Sequence, residues 1–498
     1  MSARAPDHEV AIIGAGFSGL GAAIALKRAG IDDFAILERA DDIGGTWRAN
    51  TYPDVAVDIP TFSYQFSFEL NPHWSRVFAK GSEVKAYIDG VADKYGLRRH
   101  LRLGTEVRRR EWDEDSRLWR IDCGDREVTA RFVIAAIGAF IDPRPPDIPG
   151  FDDFAGKVLR TQEWEHDYDL TGKRVAVIGT GSTAVQLIPP VARAAGRLHV
   201  FQRRAIWVFA KPDYKIPALV RRVFATVPGV QNAVRLGVSA IVETLLVGTF
   251  LLGKRFPPLS TVPARACRAF LHSQVSDPEL RRKLTPDYGF ACKRPSVSNR
   301  YYKTFERENT ELVTEPIERI TPNGIRTEDG REREIDVLVL ATGFRISTDP
   351  ENYRTSPVRG RDGFDLADFV QNEPLQAYEG VSIPKLPNSF TMFGPYSWTG
   401  SSWQVMVENQ SHHIVRVLRE ARRRRATSVE IRPEANARFL DFVRERALNG
   451  MPRSASCATA NTYYLDHHGE ISLLRPTSSL QAWWASRRFS LDDYAYAE

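Results

Sequence analysis

Lys173 to Arg204 reads KRVAVIGTGSTAVQLIPPVARAAGRLHVFQRR, and this stretch decides the fold. The apolar run Val175, Ala176, Val177, Ile178 passes directly into Gly179-Thr180-Gly181-Ser182-Thr183-Ala184 and then into an apolar-periodic helix. That order is a nucleotide-binding turn. The first glycine permits the tight turn, the second admits a pyrophosphate to the backbone, and the small third residue lets helix pack on strand. Free N–H groups and the dipole at the helix N-terminus then favour the phosphates. The next strand, Leu198 to Phe201, ends in Gln202 and Arg203, where an NAD-specific fold carries an acid for the ribose hydroxyl. A neutral residue followed by arginines suits a 2′-phosphate, which points to NADPH.

The chain contains this pattern twice. From His8 to Gly30 the strand Val10-Ala11-Ile12-Ile13 leads into Gly14-Ala15-Gly16-Phe17-Ser18-Gly19 and a helix of small residues, and a second strand, Phe34 to Leu37, closes on Glu38. Here the acid is in place for the ribose of an adenosine without a 2′-phosphate, as in FAD or NAD. Two turns with different ribose-reading residues imply two different dinucleotides, and FAD with NADPH is the natural pair. The fold class that follows is α/β: two doubly wound, Rossmann-like dinucleotide-binding domains.

Outward from these turns, 498 residues allow two or three domains with full cores. An apolar content of 43%, a charged content of 26% and a net charge of +6 are those of an ordinary globular protein with no nucleic-acid groove. The arginine runs Arg108 to Arg110 and Arg422 to Arg425 read as solvated faces, the second complementing a helix C-terminus. Four widely spaced cysteines, Cys123, Cys267, Cys292 and Cys457, form no C-x-x-C pair. This argues against a dithiol redox centre and a multi-cysteine zinc site, and suits a reducing, cytoplasmic setting. Leu236 to Leu252 is apolar enough to test as a membrane segment, but Glu243 near its middle would cost about 3 kcal/mol in lipid. The reading is a buried or surface-docked helix and no integral span, with peripheral membrane contact as the alternative.

After Glu38, Gly44-Gly45-Thr46-Trp47, Tyr52-Pro53, Asp58 and the aromatics Phe62, Tyr64, Phe66 and Phe68 form a loop suited to a flavin. A helix capped near Ser82 follows, then alternating segments at Leu101 to Val107, Leu118 to Cys123 and Val128 to Ile137. Pro143, Pro145, Pro146 and Pro149 mark a stiff linker. Residues 213–290 read as a helical insertion, and sheet resumes at Glu311 to Val313 and Asp336 to Leu340, before Ala341-Thr342-Gly343-Phe344. Pro384 to Pro387 mark the return to the first domain, where Gly394-Pro395 precede a helix starting near Ser401 or Ser402. The expected division is 1–150 with 386–498 for FAD, 151–212 with 291–385 for NADPH, and 213–290 inserted in the latter.

With these residues in hand, the chain resembles the type I Baeyer–Villiger monooxygenases, FAD- and NADPH-dependent enzymes of the class B flavin monooxygenases that insert oxygen beside a ketone. The resemblance runs through both glycine turns, Gly44 to Asp58, Gln202-Arg203, Lys293-Arg294 before Tyr301-Tyr302, and Ala341 to Phe344. It implies that NADPH reduces FAD, that dioxygen adds to the flavin C4a, and that the resulting peroxide attacks the carbonyl of an apolar substrate. It gives Arg294 and Asp58 the catalytic roles, with Arg294 holding the peroxide anion and Asp58 orienting the guanidinium. Lys293 joins Arg203 at the 2′-phosphate, while Gly45, Thr46, Trp47, Tyr64 and Val107 line the FAD. The family linker pattern F-x-G-x-x-x-H-x-x-x-W-[DP] falls on Phe154, Gly156, Arg160, Trp164 and Glu165. Arg160 replaces its histidine, Glu165 its last residue, Asp54 a small residue or Met after Tyr52-Pro53, and Tyr463 a tryptophan at the nicotinamide ribose. Two alternatives stay open: oxygenation of nitrogen or sulfur, and NADPH oxidation uncoupled from product.

Overall fold

The computed structural model describes residues 5–140, 142–144 and 146–498; Pro145 of the expected linker lies outside them. Both glycine turns open from parallel strands. In the first, His8–Ile13 lies between Phe34–Leu37 and Glu127–Ala135, pairing parallel to both, with Ile12 opposite Ile36 and Ile134. In the second, Arg174–Ile178 lies between Arg197–Phe201 and Val337–Leu340, and all five strands run parallel. Strands covered on both faces read as unbroken apolar runs, and successive side chains go to opposite cores. Thus Val10 and Ile12 enter one cluster and Ala11 and Ile13 another, while Val175 and Val177 part from Ala176 and Ile178 in the same way.

The antiparallel excursion of the first sheet is Arg109–Asp113, Leu118–Asp122 and Glu127–Ala135. The expected strand from Leu101 to Val107 is only Leu101–Arg102, which extends the parallel edge beside Phe34–Leu37; Gly104, at φ +63°, turns the chain away. The helix expected to be capped at Ser82 spans Gly81–Lys94, so Ser82 lies within it and Lys80 precedes it without a side-chain cap. Arg110 is not part of a solvated face: it is 4% exposed, its Nε has no partner among the described residues, and burial drops its pKa to about 10.

The second return to the first sheet comes earlier than the expected boundary at 386. Val358–Arg359 already pairs parallel with Arg110–Glu111, and Val358, Leu366, Leu375 and Ile383 pack into the core beneath that sheet with Trp112 and Trp119. A two-residue strand has too little alternation to stand out in sequence. Ser389–Thr391 then pairs with Val133 to Ala135, and Trp403–Arg424 packs along Phe17–Arg28, the first nucleotide helix.

Residues 213–290 carry helices at Ala218–Thr226, Val230–Val242 continuing to Leu252, Pro258–Gln274 and Pro278–Leu284. The apolar helix docks on the surface rather than inside: only 22% of its most apolar window is buried. The cysteines also depart from expectation. Cys292 and Cys457 are joined as a disulfide across 165 residues, Cα to Cα 5.2 Å, whereas Cys123 and Cys267 are buried free thiols. That bond holds the segment before Lys293 and Arg294 against the loop before Tyr463, within a cluster containing Trp207, Tyr288 and Met451.

Candidate active site

The first turn is built by sterics. Gly14 adopts φ +104°, and a Cβ there would lie 2.6 Å from the Ala136 carbonyl oxygen; a Cβ on Gly19 would run into the carbonyl of Gly14. Only glycine fits either place. Glu38, 9% exposed at the strand end, accepts hydrogen bonds from the backbone N–H groups of Ala15 at 2.7 Å and Ala40 at 2.9 Å. These two bonds fix the carboxylate at the mouth of the turn and leave further lone pairs for a ribose diol. In the second turn Gly179, at φ +118°, packs on Ala341 as Gly14 packs on Ala136. A Cβ on Gly181 would meet nothing within 4 Å, which is the open cradle a pyrophosphate needs.

Between the turns lies a cleft of about 1190 Å³. Gly14, Gly16, Phe17, Ser18 and Glu38 line it from the first turn, Gly45, Thr46 and Trp47 from the following loop, and Gly181, Ser182 and Thr183 from the second turn. Asp58, Tyr64, Val107, Arg294 and Tyr463 complete the predicted set at its walls. The loop is braced by its own aromatics: Trp47 Nε1 donates to the Tyr64 hydroxyl at 3.0 Å, and Tyr64 meets Phe17 edge to face at 5.6 Å. Ala15, Gly19, Gly179, Thr180 and Ala184 shape the turns without lining the cleft, and the Thr180 hydroxyl donates to the Arg204 carbonyl at 2.8 Å.

Asp58 and Arg294 meet across 236 residues. Arg294 Nε donates to one Asp58 oxygen at 3.1 Å and Nη2 to the other at 3.4 Å, while Nη1 donates to the Gly400 carbonyl at 3.2 Å. The Arg294 side chain is 14% exposed and that of Asp58 27%. Burial alone would lower the Arg294 pKa, but the charge and hydrogen bonds of Asp58 outweigh it and raise the value. Burial likewise pushes the Asp58 carboxyl up, and Arg294 more than reverses this, so it stays ionised. Of five guanidinium N–H groups, three are used, leaving two unengaged among the described residues. Trp398 lies under the guanidinium at 5.3 Å. Tyr52 also lines the cleft, and burial, with the nearby Asp58 charge adding to it, pushes its hydroxyl up to about 12, so it stays protonated.

Lys293, Arg203 and Arg204 form a separate cationic group. Burial first, then the charges of Arg204 and Arg203, together lower the Lys293 pKa to about 8 against the weaker opposing pull of Asp287. Like charges crowded in this way are the complement of a phosphate dianion. Gln202 is buried and donates to the Lys283 carbonyl at 2.7 Å, so it shapes the site rather than reaching into it. Arg204 and Trp398 were missed in the sequence as individual site residues. Arg204 was visible beside Arg203, whereas nothing local marks Trp398.

The departures also have places. Asp54, at φ +65°, pairs with Arg300 at 3.0 Å and Arg193 at 3.5 Å, tying the flavin-side loop to the second nucleotide helix. Gln186 reinforces that tie through both the N–H and the carbonyl of Ala56. Glu165 pairs with Lys157 at 2.6 Å, and Arg160 is exposed at the end of its strand. Tyr463 lines the cleft against Phe140, ring centres 6.3 Å apart.

Comparison with known proteins agrees with this geometry. Residues 11–242 match the pyridine nucleotide-disulphide oxidoreductase family model. A Baeyer–Villiger monooxygenase of Pseudomonas aeruginosa is 40% identical over 89% of this chain and 83% of its own length. One of Streptomyces coelicolor is 36% identical over 99% and 94%. Among solved structures, cyclohexanone monooxygenase from Rhodococcus sp. Phi1 bound to NADP+ superposes with a TM-score of 0.88 at 27% identity, covering 99% of this chain and 100% of the other. The OTEMO complex with FAD and NADP gives 0.86 at 27%, with the same coverage. With relatives this similar over almost its full length and both glycine turns built for dinucleotides, the chain belongs to the Baeyer–Villiger monooxygenases and is an FAD- and NADPH-dependent enzyme.

Proposed function

We propose that Arg294 and Asp58 are the catalytic pair of this Baeyer–Villiger oxidation, that the substrate is an apolar ketone, and that Lys293, Arg203 and Arg204 hold the NADPH 2′-phosphate. Bound FAD, once reduced by NADPH, supplies the activated oxygen. The observation that carries the reading is the two-point Asp58–Arg294 bridge, which with the Gly400 bond leaves two guanidinium N–H groups unengaged among the described residues, in the cleft between the turns. A cation whose pKa is raised cannot give up its proton to an anion beside it, so its charge stands ready wherever negative charge develops. Asp58 fixes the guanidinium plane, and Trp398 and the Gly400 carbonyl limit its rotation. Glu38 would hold the FAD ribose, with Gly45 to Trp47, Tyr64 and Val107 along the flavin. Tyr463 would pack at the nicotinamide ribose. We infer further that the first sheet serves FAD and the second NADPH.

Rapid-mixing kinetics of Arg294→Ala test the roles. Flavin reduction by NADPH should keep its rate within a few-fold, while ester formation falls by about a hundredfold or more, the loss typical of one oxyanion donor. Ester formed at the wild-type rate would remove Arg294 from catalysis. Oxide or hydroxylamine as the wild-type product would replace ketone oxidation by heteroatom oxygenation.

A further inference from the structure

Residues 214–275 carry eight lysines and arginines against one acid, Glu243, a net +7 where the whole chain is +6. The same segment bears the most prominent exposed apolar face: Leu219 is 72% exposed, Leu236 63% and Ile241 60%. Its one acid is engaged by the protein: the Glu243 carboxylate accepts the backbone N–H of Ser479 at 2.7 Å. That bond sets the helix Ser479–Arg488 beside the apolar helix, adding Leu480 at 72% and Trp484 at 55% exposure. Trp483 and Trp484 have Arg487 and Arg488 against their rings at 4.2 and 5.0 Å.

We propose that this face docks the enzyme on an anionic phospholipid bilayer and lies in the interface without crossing it. Val230–Leu252 is long and apolar enough to span, but it is fastened to the protein along one side. Gln231 donates to the Asn71 carbonyl at 2.6 Å, Glu243 holds Ser479, and Val247 and Phe250 are buried. A helix held in this way cannot be encircled by lipid, and its free stripe lies flat in the headgroup region. Arginines match anionic headgroups, and paired tryptophans suit the boundary between water and acyl chains. The excess of cations beside exposed apolar side chains favours an anionic lipid surface over a protein partner. The face is also close to the cleft: Phe224 of the neighbouring helix meets Phe62 edge to face at 5.7 Å, in the loop that joins Asp58 to Tyr64. The docking does not rest on the proposed function.

Flotation of the holoenzyme with phosphatidylcholine vesicles, with and without phosphatidylserine, tests the docking. Binding should need phosphatidylserine and should reverse in high salt. Arg221→Gln with Arg222→Gln should weaken it about 30-fold, about fivefold per basic side chain. Trp483→Ser with Trp484→Ser should weaken it comparably, and both double variants should turn over a small water-soluble ketone at the wild-type rate. An enzyme that stays unbound with both vesicles, floats equally well with either, or is released only by detergent overturns the proposal. So does a stable dimer in sedimentation velocity that Ile241→Ser dissociates, since a second copy would then cover the face. Vesicle binding is read without turnover, so its failure is distinct from failure of the proposed chemistry.

Discussion

Raising the pH should weaken NADPH binding through one lysine. In the free protein burial holds the Lys293 pKa near 8, with Arg204 and Arg203 lowering it and Asp287 opposing them. A 2′-phosphate dianion beside Lys293 favours its charged form, so the complex retains a proton that the free enzyme has lost. Below pH about 8 the lysine is charged in both states and affinity is flat. Above it, binding must take up a proton, and the limit is a tenfold loss of affinity per pH unit. At pH 9 only about one free enzyme in eleven carries the proton, so the Kd for NADPH should rise about tenfold over its value at pH 7. Folding stability shifts the other way. Because the folded pKa lies below the unfolded value, the unfolded chain binds more protons between about pH 8 and 10.5, and this residue's contribution to stability rises across that window. The assay is flavin reduction by NADPH against pH in the half-reaction without oxygen. NADH, lacking the 2′-phosphate, serves as control, and Lys293→Arg should abolish the inflection. A flat NADPH profile to pH 9.5, or the same rise with NADH, would refute the reasoning.

The other expectations concern the two cradles and their supports. Glu38→Gln replaces a charged acceptor of the Ala15 and Ala40 N–H groups by a neutral one; FAD affinity should fall about 10- to 100-fold, seen as flavin lost on gel filtration. Gly19→Ala has no room beside the Gly14 carbonyl, whereas Gly181→Ala has open space. The first should therefore fail to purify as a yellow protein, and the second should keep FAD while its NADPH KM rises at least tenfold; equal flavin content in both would contradict this. Cys292→Ala with Cys457→Ala frees the Lys293–Arg294 segment from the loop before Tyr463, and should raise the NADPH KM several-fold at unchanged FAD content. If the two kinetic constants of that variant match those of the wild type, the cross-link has no part in positioning the segment.

What could be read from the sequence was what neighbouring residues decide among themselves. Each glycine turn is complete within about 30 residues, so Gly14 to Glu38 and Gly179 to Arg203 were legible, and with them the two sheets and two dinucleotides. Lys293 and Arg294 lie about 90 residues beyond the second turn, and no periodicity assigns them a partner. Only the family resemblance paired Arg294 with Asp58, and the cleft supplies the physical content of that pairing. The failures share a cause. The disulfide of Cys292 with Cys457, the burial of Arg110 and the early return at Val358 all depend on segments more than 160 residues apart meeting in space. The apolar helix failed differently: its composition suits a core, a membrane or an exposed face equally, and Glu243 told against lipid only while it was taken to point there. Once Ser479 holds that carboxylate, the remaining stripe carries no acid. The residue that argued against a membrane then becomes the clamp that presents a face to one.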